Sequence, residues 1–429
     1  MTSTKDILIT GFALFSMFFG AGNLVLPPYL GKIAGEQWVL VTFGFFTTAV
    51  LIPILAIFAH AKLQGTMYDF GKKVSPLFSS IYCIIVYAIS IALPAPRTAS
   101  VTHEMAISPY FKSSALLTST IYFFLVFIFV MNRSKVLLLL GRFLTPLIIS
   151  ILLLIIVMGC LYSPEFITSS ELKAPFVKGV LEGYQTFDAI GAVVVGGILV
   201  ISLNLDSKGS FAQKKQLIIK SGLVAGVGLL IIYAGLIYNG ASFNSVVPEN
   251  ISRTQLLSSL STQTLGNIGT MFLSVLISLA CFTTAIGIVT GTADYIKGVF
   301  KNSQNAYTTT AALACVLGIT IGQFDVAFII TIALPVLMFI YPITIVLIIL
   351  NVIPTHYSST QTHRAVVITT FIFSIPDFLQ FVIAKAQLQP YTQHVPLSHV
   401  NLGWVLPALL IFTLSNFVQY IRLKEKSVS

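Results

Sequence analysis

An apolar segment near the start of the chain contains residues that do not continue a membrane helix. Residues 12–31 read FALFSMFFGAGNLVLPPYLG. The segment begins as an apolar helix and then carries two glycines, an asparagine and two prolines, namely Gly20, Gly22, Asn23, Pro27 and Pro28. Glycine weakens helix continuation, and proline lacks an amide hydrogen and clashes with the preceding turn. We therefore predict two half-helices joined by extended backbone.

A helix break at membrane depth indicates a binding site. In hydrocarbon, an unpaired amide or carbonyl group costs several kcal/mol. Irregular backbone therefore persists at that depth only where protein buries it or where it lines a polar cavity. We expect the break in residues 12–31 to line such a cavity.

The rest of the chain is typical of a polytopic membrane protein. Of its 429 residues, 56% are hydrophobic and 9% are charged, whereas roughly a quarter of an ordinary soluble domain is charged. About twenty apolar residues cross the hydrocarbon core. Twelve such segments, which we number spans 1 to 12, predict an all-α integral membrane protein in a lipid bilayer. They are centred near Ser16, Ala49, Ile85, Phe124, Leu152, Ile190, Leu229, Leu279, Leu313, Met338, Ile375 and Leu410.

The net charge of +10 is explained better by membrane topology than by nucleic-acid binding. Twelve spans leave both termini on one side, and that side would hold 17 of the 24 lysines and arginines. Cytoplasmic segments carry the excess of positive charge. We predict a multi-pass protein of the inner (cytoplasmic) membrane with both termini in the cytoplasm, and no nucleic-acid or obligate protein partner. The seven basic residues assigned to the opposite side are Lys32, Arg97, Lys112, Lys173, Lys178, Arg253 and Lys385.

Span 6, residues 175–205, repeats the anomaly of span 1. Glu182, Gln185, Asp188, Gly191 and other polar or small residues interrupt an apolar run. Asp188 lies near its middle, where an unpaired charge costs at least about 3 kcal/mol. It therefore needs a partner, a water-filled neighbour or a proton.

The two interrupted spans suggest an inverted repeat. Spans 1 and 6 are five spans apart and begin on opposite sides of the membrane, and paired interruptions in corresponding halves indicate a transporter binding site. We predict one transmembrane domain with a first repeat at about 5–163 and a second at about 175–351. Spans 11 and 12, at about 364–422, are appended.

The sequence gives two alternatives for the structure of span 3 and indicates packing roles for residues in other spans. Span 3 either continues as a polar helix beyond residues 93–96, LPAP, or gives way to a loop on the membrane surface. The glycines of span 7 are typical of a helix-packing face. Threonines such as Thr283 and Thr284 in span 8 commonly bond their own helix. The four cysteines have no metal or disulfide spacing, so we expect buried packing thiols.

Enzyme motifs are absent from the sequence. Gly20-Ala21-Gly22 begins a partial GxGxxG, but no strand precedes it and Val25 stands where the third glycine belongs. No P-loop, HExxH or GxSxG occurs. We therefore predict no enzyme activity and no organic cofactor.

The two breaks suit a zwitterion and a cation. A half-helix N-terminus presents amides to a carboxylate, and exposed carbonyl and side-chain oxygens replace the hydration shell of a small cation. An amino acid would place its carboxylate on the amides and its ammonium near carbonyls and Asp188.

The motif GAGN-x-x-x-PP, from Gly20 to Pro28, resembles the signature of the branched-chain amino acid:cation symporters, the BrnQ-type carriers. These are similar to the amino acid–polyamine–organocation superfamily with the LeuT fold. The resemblance extends over the chain in length, span count and position of the breaks. It implies a LeuT-like 5+5 inverted repeat with broken helices 1 and 6 and two additional helices. It also implies uptake of leucine, isoleucine and valine driven by Na⁺ or H⁺.

The resemblance also implies site residues. A LeuT-like sodium site would use oxygens near Ser16 and Phe19 with Ala280, Thr283 and Thr284 of span 8. Asn23 matches a ligand of a second ion, but Asp188 stands where that pattern has a neutral hydroxyl, so Asp188 is a second-ion ligand, a proton site or a contact of the substrate ammonium. The substrate-binding set is Phe19, Gly20, Ala21, Gly22, Asn23, Asp188, Ala189 and Gly191.

These features together predict a secondary active symporter that imports branched-chain amino acids with Na⁺ by alternating access. The alternatives are an H⁺-coupled or exchange carrier for other neutral amino acids, and a channel or transport-like receptor. Accumulation of substrate against its gradient distinguishes a carrier from a channel.

Overall fold

The computed structural model describes residues 4–132, 136–162, 167–194, 196–197 and 210–428, and the regular structure in these ranges is helical. A helix covers the centre of each of the twelve predicted spans. The helices are, for span 1, Thr4–Phe18 and Ala21–Ala34; span 2, Trp38–Phe46, Thr47–Leu51 and Ile52–Leu63; span 3, Pro76–Ala92, Pro94–Thr102 and His103–Ile107; span 4, Ala115–Asn132; span 5, Val136–Leu161; span 6, Pro175–Tyr184 and residues 188–194; span 7, Phe211–Ser242; span 8, the second part of Arg253–Val299; span 9, Gln304–Gly322; span 10, Val326–Val352; span 11, Thr360–Leu379; and span 12, Val405–Val428.

Seven helical stretches of the described chain are long and apolar enough to cross a membrane. The halves of the interrupted spans are shorter, with 15 residues in Thr4–Phe18 and 10 in Pro175–Tyr184. The predicted end of span 6, residues 198–205, lies outside the described residues. The seven stretches are Ala21–Leu63, Pro76–Ile107, Ala115–Asn132, Phe211–Ser242, Arg253–Val299, Gln304–Gly322 and Val326–Val352.

Span 1 breaks at its first glycine but not at its prolines. The first half ends at Phe18, Gly20 is extended with φ −113° and ψ −172°, and the second half begins at Ala21. Pro27 and Pro28 lie inside this second half and are buried. The expectation that the prolines interrupt the helix was wrong. Proline fixes φ near its helical value, and packing of this buried half-helix outweighs the lost hydrogen bonds.

Span 3 continues as a helix beyond its interruption, so the first of the two alternatives is correct. The chain bends at Leu93, and a new helix, Pro94–Thr102, begins with proline in its first turn, where no intrahelical amide bond is lost. Residues 95–102 of this helix are all buried. Arg97 is only 3% exposed. Arg97, one of the seven basic residues assigned to the side opposite the termini, is therefore packed between helices and does not lie in a loop, and the side to which it belongs stays a prediction.

Span 8 is preceded by a short helix that the sequence did not reveal. The helix Arg253–Val299 contains one non-helical residue, Gly266, with φ +70° and ψ −176°. A side chain is strained at this φ although no atom lies within 4 Å of where its Cβ would be, so backbone conformation alone favours glycine. Gly266 separates a short helix, 253–265, from span 8. We call this helix the outer helix, after the side on which the predicted topology places it.

Small residues let the helices approach closely, as predicted for span 7. A methyl group on Gly240 of span 7 would overlap the carbonyl of Pro28, and one on Gly31 would overlap the carbonyl of Ile237. The second half of span 1 therefore packs backbone to backbone against span 7, an arrangement that small residues permit. This contact fixes the position of the broken helix.

The cysteine prediction holds for three of the four residues. Cys83, Cys281 and Cys315 are buried free thiols, whereas Cys160 is exposed. The expectation of a buried thiol at Cys160 was wrong because it ends span 5 on an outward face, where apolar composition indicates lipid rather than protein neighbours.

Spans 1 and 7 begin on the same side of the molecule. The Ser221 hydroxyl, near the start of span 7, donates to the carbonyl of Ile7, 3.1 Å away. This agrees with the six crossings that separate the two starts. The boundaries of the two repeats stay a prediction.

Candidate functional site

The breaks in spans 1 and 6 meet in the protein interior. Asn23, in the first turn after the break in span 1, donates its side-chain amide to both carboxylate oxygens of Asp188, at 2.9 and 2.7 Å. The Tyr233 hydroxyl of span 7 donates to Asp188 Oδ2 at 3.1 Å and also accepts from the Asn23 amide. All three side chains are at most 3% exposed. The partner that Asp188 needs is therefore supplied by two other spans.

The break in span 6 is a tight turn with one strained residue. The helix ends at Tyr184, and Phe187 takes a φ of +64°, an uncommon value for a bulky side chain. The hydroxyl of Thr186 accepts from the amide of Asp188 at 3.2 Å. The hydroxyl of Tyr341 in span 10 accepts from the amide of Ala189, also at 3.2 Å. These first amides of the second half are therefore bonded to protein hydroxyls, contrary to the expectation that they would be free.

Aromatic rings pack around the two tyrosines that bond the start of the second half of span 6. The Phe19 ring lies 6.5 Å from that of Tyr233, and Phe45 of span 2 packs edge-on to Tyr233 at 5.2 Å. Tyr341, whose hydroxyl bonds the Ala189 amide, stacks on Tyr184 at 4.4 Å. These rings give the site apolar walls around a few polar groups, as is usual for small-molecule sites.

A buried arginine from span 3 touches both breaks. Arg97 Nη1 donates to the carbonyl of Gln185 at 2.8 Å. A methyl group on Gly22 would overlap Arg97 Nη2 and lie 2.9 Å from its Cζ. The guanidinium also lies 5.3 Å from the ring centre of Phe187. Arg97 therefore brings a positive charge between the two broken helices.

The threonine pair of span 8 lies beside the break in span 1. The position of a methyl group on Gly20 would be 3.6 Å from Thr284 Cγ2 and 3.9 Å from its Oγ1. The hydroxyls of Thr283 and Thr284 each donate to the carbonyl of Ala280 at 2.9 Å. Each hydroxyl oxygen thereby keeps lone pairs that can face a cation. Phe19, one of the predicted carbonyl ligands, directly precedes Gly20.

The remaining predicted residues lie on the same two breaks. Ser16 is partly buried in the last turn before the break, and Ala21 and Ala189 are buried. A methyl group on Gly191 would meet no atom within 4 Å. The structure thus brings the residues predicted on spans 1 and 6 into one region, with Thr284 of span 8 at its edge.

Charged side chains join the helices at one end of the molecule. Glu182 of span 6 accepts from Arg253 of the outer helix at 2.9 Å and from Lys178 at 3.0 Å. The Arg253 guanidinium lies 4.4 Å from the ring centre of Tyr29 in span 1. Glu104 of span 3 accepts from the hydroxyl of Thr254 and from the amide of Val326, the latter at 2.8 Å. We call Glu182, Arg253 and Tyr29 the outer latch.

Sequence reasoning did not select Arg97, Tyr233, Tyr341, Gln185 or Thr186 for the site. Arg97 was detectable, because a guanidinium follows an apolar run after two helix-starting prolines. Tyr233 and Tyr341 carry no such signal. Each is one tyrosine among apolar neighbours, and only packing shows that its hydroxyl meets a break.

Comparison with known protein families identifies the kind of protein. Residues 3–422 match the family described as "Branched-chain amino acid transport protein". The chain belongs to this family. Because the match covers nearly all of the chain, the family assignment applies to the whole transmembrane domain.

Relatives in the family are permeases and carriers. The chain is 32% identical over 422 residues to the branched-chain amino acid permease BraB of Bacillus subtilis, covering 95% of this chain and 94% of BraB. It is 31% identical to the branched-chain amino acid transport system 2 carrier protein of Pseudomonas aeruginosa, covering 97% of each. It is 29% identical to BrnQ of Escherichia coli K12, covering 96% and 95%. The protein is accordingly a membrane transporter and not an enzyme.

Solved structures share the fold. Mhp1, a nucleobase-cation-symport-1 family transporter in a closed conformation with bromovinylhydantoin bound, has a TM-score of 0.62 at 12% identity, covering 98% of this chain and 93% of Mhp1. The Eremococcus coleocola manganese transporter has a TM-score of 0.56 at 13% identity, covering 97% and 94%. The predicted all-α fold with a LeuT-like architecture is confirmed.

Proposed function

We propose that this transporter imports leucine, isoleucine and valine together with Na⁺ by alternating access. The substrate would bind at the two breaks, near Phe19, Gly20, Ala21, Gly22, Asn23, Asp188, Ala189 and Gly191. The apolar side chain would face the surrounding aromatic rings. Membership in the branched-chain amino acid transport family supports the substrate class.

The observation that carries the proposal is the contact between Asn23 and Asp188 across the two broken helices. A buried carboxylate held by neutral partners keeps a negative charge available for an ammonium group. A buried polar group in a membrane span is expensive and is a functional-site hypothesis by default.

For the coupling ion we propose Na⁺ bound by main-chain oxygens near Ser16 and Phe19 and by Ala280, Thr283 and Thr284. Several neutral hard oxygen ligands suit this ion. The proximity of Gly20 to Thr284 supports the pairing of these elements. Asn23 and Asp188 are candidates for a second ion. The competing proposal is H⁺ coupling through Asp188, which the buried carboxylate favours.

Uptake of labelled leucine into proteoliposomes tests both coupling and substrate class. A Na⁺ gradient and a pH gradient are imposed separately, and unlabelled isoleucine, valine and alanine are added as competitors. We expect accumulation with the Na⁺ gradient alone and strong competition by isoleucine and valine. Accumulation with the pH gradient alone would establish H⁺ coupling instead, and equilibration without accumulation would indicate a channel.

A further inference from the structure

The surroundings of Arg97 leave its charge incompletely matched. Its Nη1 donates to the Gln185 carbonyl, next to the C-terminal end of the first half of span 6, where the helix dipole is negative. Its Nη2 instead lies against Gly22, in the first turn of the second half of span 1, where the dipole is positive. Two positive groups thus face each other at the break in span 1. An anion bound beside this contact would be attracted by both.

Two buried polar atoms at the breaks also have no protein partner. Arg97 Nε is a buried donor without a hydrogen bond, and Gln185 Oε1 is a buried acceptor without one. Arg97 and Gln185 are each only 3% exposed. A buried polar atom without a partner costs free energy. A ligand that carries both an acceptor and a donor would satisfy the two atoms together.

Asp188 does not neutralise Arg97 by direct contact. Its carboxylate is held by Asn23 and Tyr233, and in the part of the chain that the structure describes no ion pair within 4.0 Å joins it to Arg97. One fixed positive charge and one fixed negative charge therefore stand apart at the same pair of breaks. The carboxylate and the ammonium of an α-amino acid carry the two opposite charges that these side chains would attract.

We propose that Arg97 binds the carboxylate of the substrate, together with the first amides of the second half of span 1, while Asp188 faces the substrate ammonium. A guanidinium offers paired donors in a fixed fork that fits a carboxylate. This role rests on the proposed function and adds to it the residue that selects substrates with a free carboxylate. A purely structural role, in which Arg97 only stabilises the end of the first half of span 6, predicts no such selectivity.

The test compares L-leucine with L-leucinamide, which has nearly the same shape but no negative charge. Dissociation constants of both are measured by calorimetry on the purified full-length protein and on Arg97→Gln. We expect Arg97→Gln to weaken leucine binding by about 30-fold or more and leucinamide binding by less than about threefold. The preference of the wild type for leucine would then largely disappear.

The matched control is Arg364→Gln. Arg364 Nε also donates to a backbone carbonyl, that of Val74, at 2.8 Å, but it lies on a different helix pair. We expect Arg364→Gln to keep the wild-type preference for leucine over leucinamide. If Arg97→Gln is not recovered folded, Arg97→Lys replaces it. It keeps the charge without the fork and should reduce the preference by about tenfold.

An unchanged ratio of the two dissociation constants in the Arg97 variant would overturn the inference, as would an equal weakening of both ligands. Failure of the wild type to bind leucine is a different outcome. It would contradict the proposed function itself, because that measurement does not depend on Arg97.

Discussion

At the residue scale, Asp188 of span 6 is the buried acid of the candidate site. Asp188 is buried, yet it is bonded to an amide and a hydroxyl rather than to a cation. Neutral donors stabilise a carboxylate without cancelling its charge. The residue is therefore costly for insertion into the membrane and remains attractive to an ammonium group or a coupling ion.

Replacing Asp188 by asparagine tests this role. Asparagine keeps the size and one acceptor for Asn23 but removes the charge, so we expect the protein to fold while leucine uptake falls by on the order of tenfold or more. Uptake and thermal stability are measured in parallel. Asp69→Asn, at a helix start outside the spans, is the control. Normal uptake by Asp188→Asn would show that the acid is only structural.

The prediction for Na⁺ concerns Thr283 and Thr284 of span 8, which we propose as ligands of the ion. Thr284→Ala removes one hydroxyl that borders Gly20 and leaves the helix intact, so the half-saturation concentration for Na⁺ should rise several-fold while high Na⁺ restores uptake. Thr283→Ser keeps the hydroxyl oxygen, so the half-saturation concentration for Na⁺ should rise less in Thr283→Ser than in Thr283→Ala. Thr292→Ala removes a similar bond, to Ile288, further along the helix, and should leave the Na⁺ dependence unchanged. Wild-type Na⁺ dependence in Thr284→Ala would mean that the ion binds elsewhere.

At the scale of elements, a neighbouring span holds the helix that follows each break in place. The second half of span 1 packs on span 7 through Gly31 and Gly240, and the start of the second half of span 6 is held by Tyr341 of span 10. The half-helices are thus fixed by tertiary contacts rather than by their own short length, as expected for helices of this size. Small changes at the contacts should move the site.

At Gly22, an added methyl group would disturb the contact between span 1 and Arg97 of span 3. In Gly22→Ala the new methyl group would overlap Arg97 Nη2, so the guanidinium or the half-helix must shift. We expect leucine affinity to fall by about tenfold or more, since the cost of misplacing a charged hydrogen bond is of that size. Gly291→Ala in span 8, where no atom lies within 4 Å of the new methyl group, controls for adding a methyl group to a helix. Equal affinities in the two variants would contradict the contact.

At the scale of the whole molecule, the outer latch joins the outer helix to spans 1 and 6. Glu182 is 1% exposed and is paired with Arg253, which belongs to a helix outside the twelve spans. Removing one partner of a buried ion pair leaves the other charge uncompensated and costs about 3–5 kcal/mol. A conformation in which the outer helix moves away from spans 1 and 6 would expose both charges to water.

Weakening the latch should therefore favour opening at this end. In a background without native cysteines, Ser100→Cys reports access, because Ser100 is buried and bonded to the carbonyl of Phe324 in the described structure. We expect Glu182→Gln to speed its alkylation by an impermeant thiol reagent by about tenfold or more. Lys178→Gln, which removes the more exposed partner, should have a smaller effect. If the Ser100→Cys background protein and its Glu182→Gln and Lys178→Gln variants were alkylated at the same rate, the outer latch would not control access at this end.

The orientation of the molecule gives a separate prediction. From the bias of 17 against 7 basic residues, a cysteine at Ser210 should be protected from an impermeant reagent in intact cells, and one at Ser169 should react. Both positions are exposed in the structure. We predict the same protection for a cysteine at Ser134, which lies outside the described residues. Labelling of Ser210 from outside would reverse the proposed topology.

Local properties of the sequence determined the class of protein and predicted the candidate site. Hydropathy over about twenty residues gives the spans, and the glycines of span 1 and the polar run of span 6 mark the breaks, because each of these signals is contained in a short stretch of chain. The same local reasoning misplaced Pro27 and Pro28, since burial of a half-helix can outweigh the cost of a proline in it.

Only the tertiary structure decided which groups share the site. Asn23 and Asp188 are 165 residues apart and Asn23 and Tyr233 are 210 apart, and no local pattern relates them. The second half of span 3 illustrates the same limit: its polar residues predicted either a loop or a helix, and packing between spans made it a buried helix that brings Arg97 to both breaks. A sequence shows where a membrane protein carries costly polar groups. Which of them satisfy one another depends on how the helices pack.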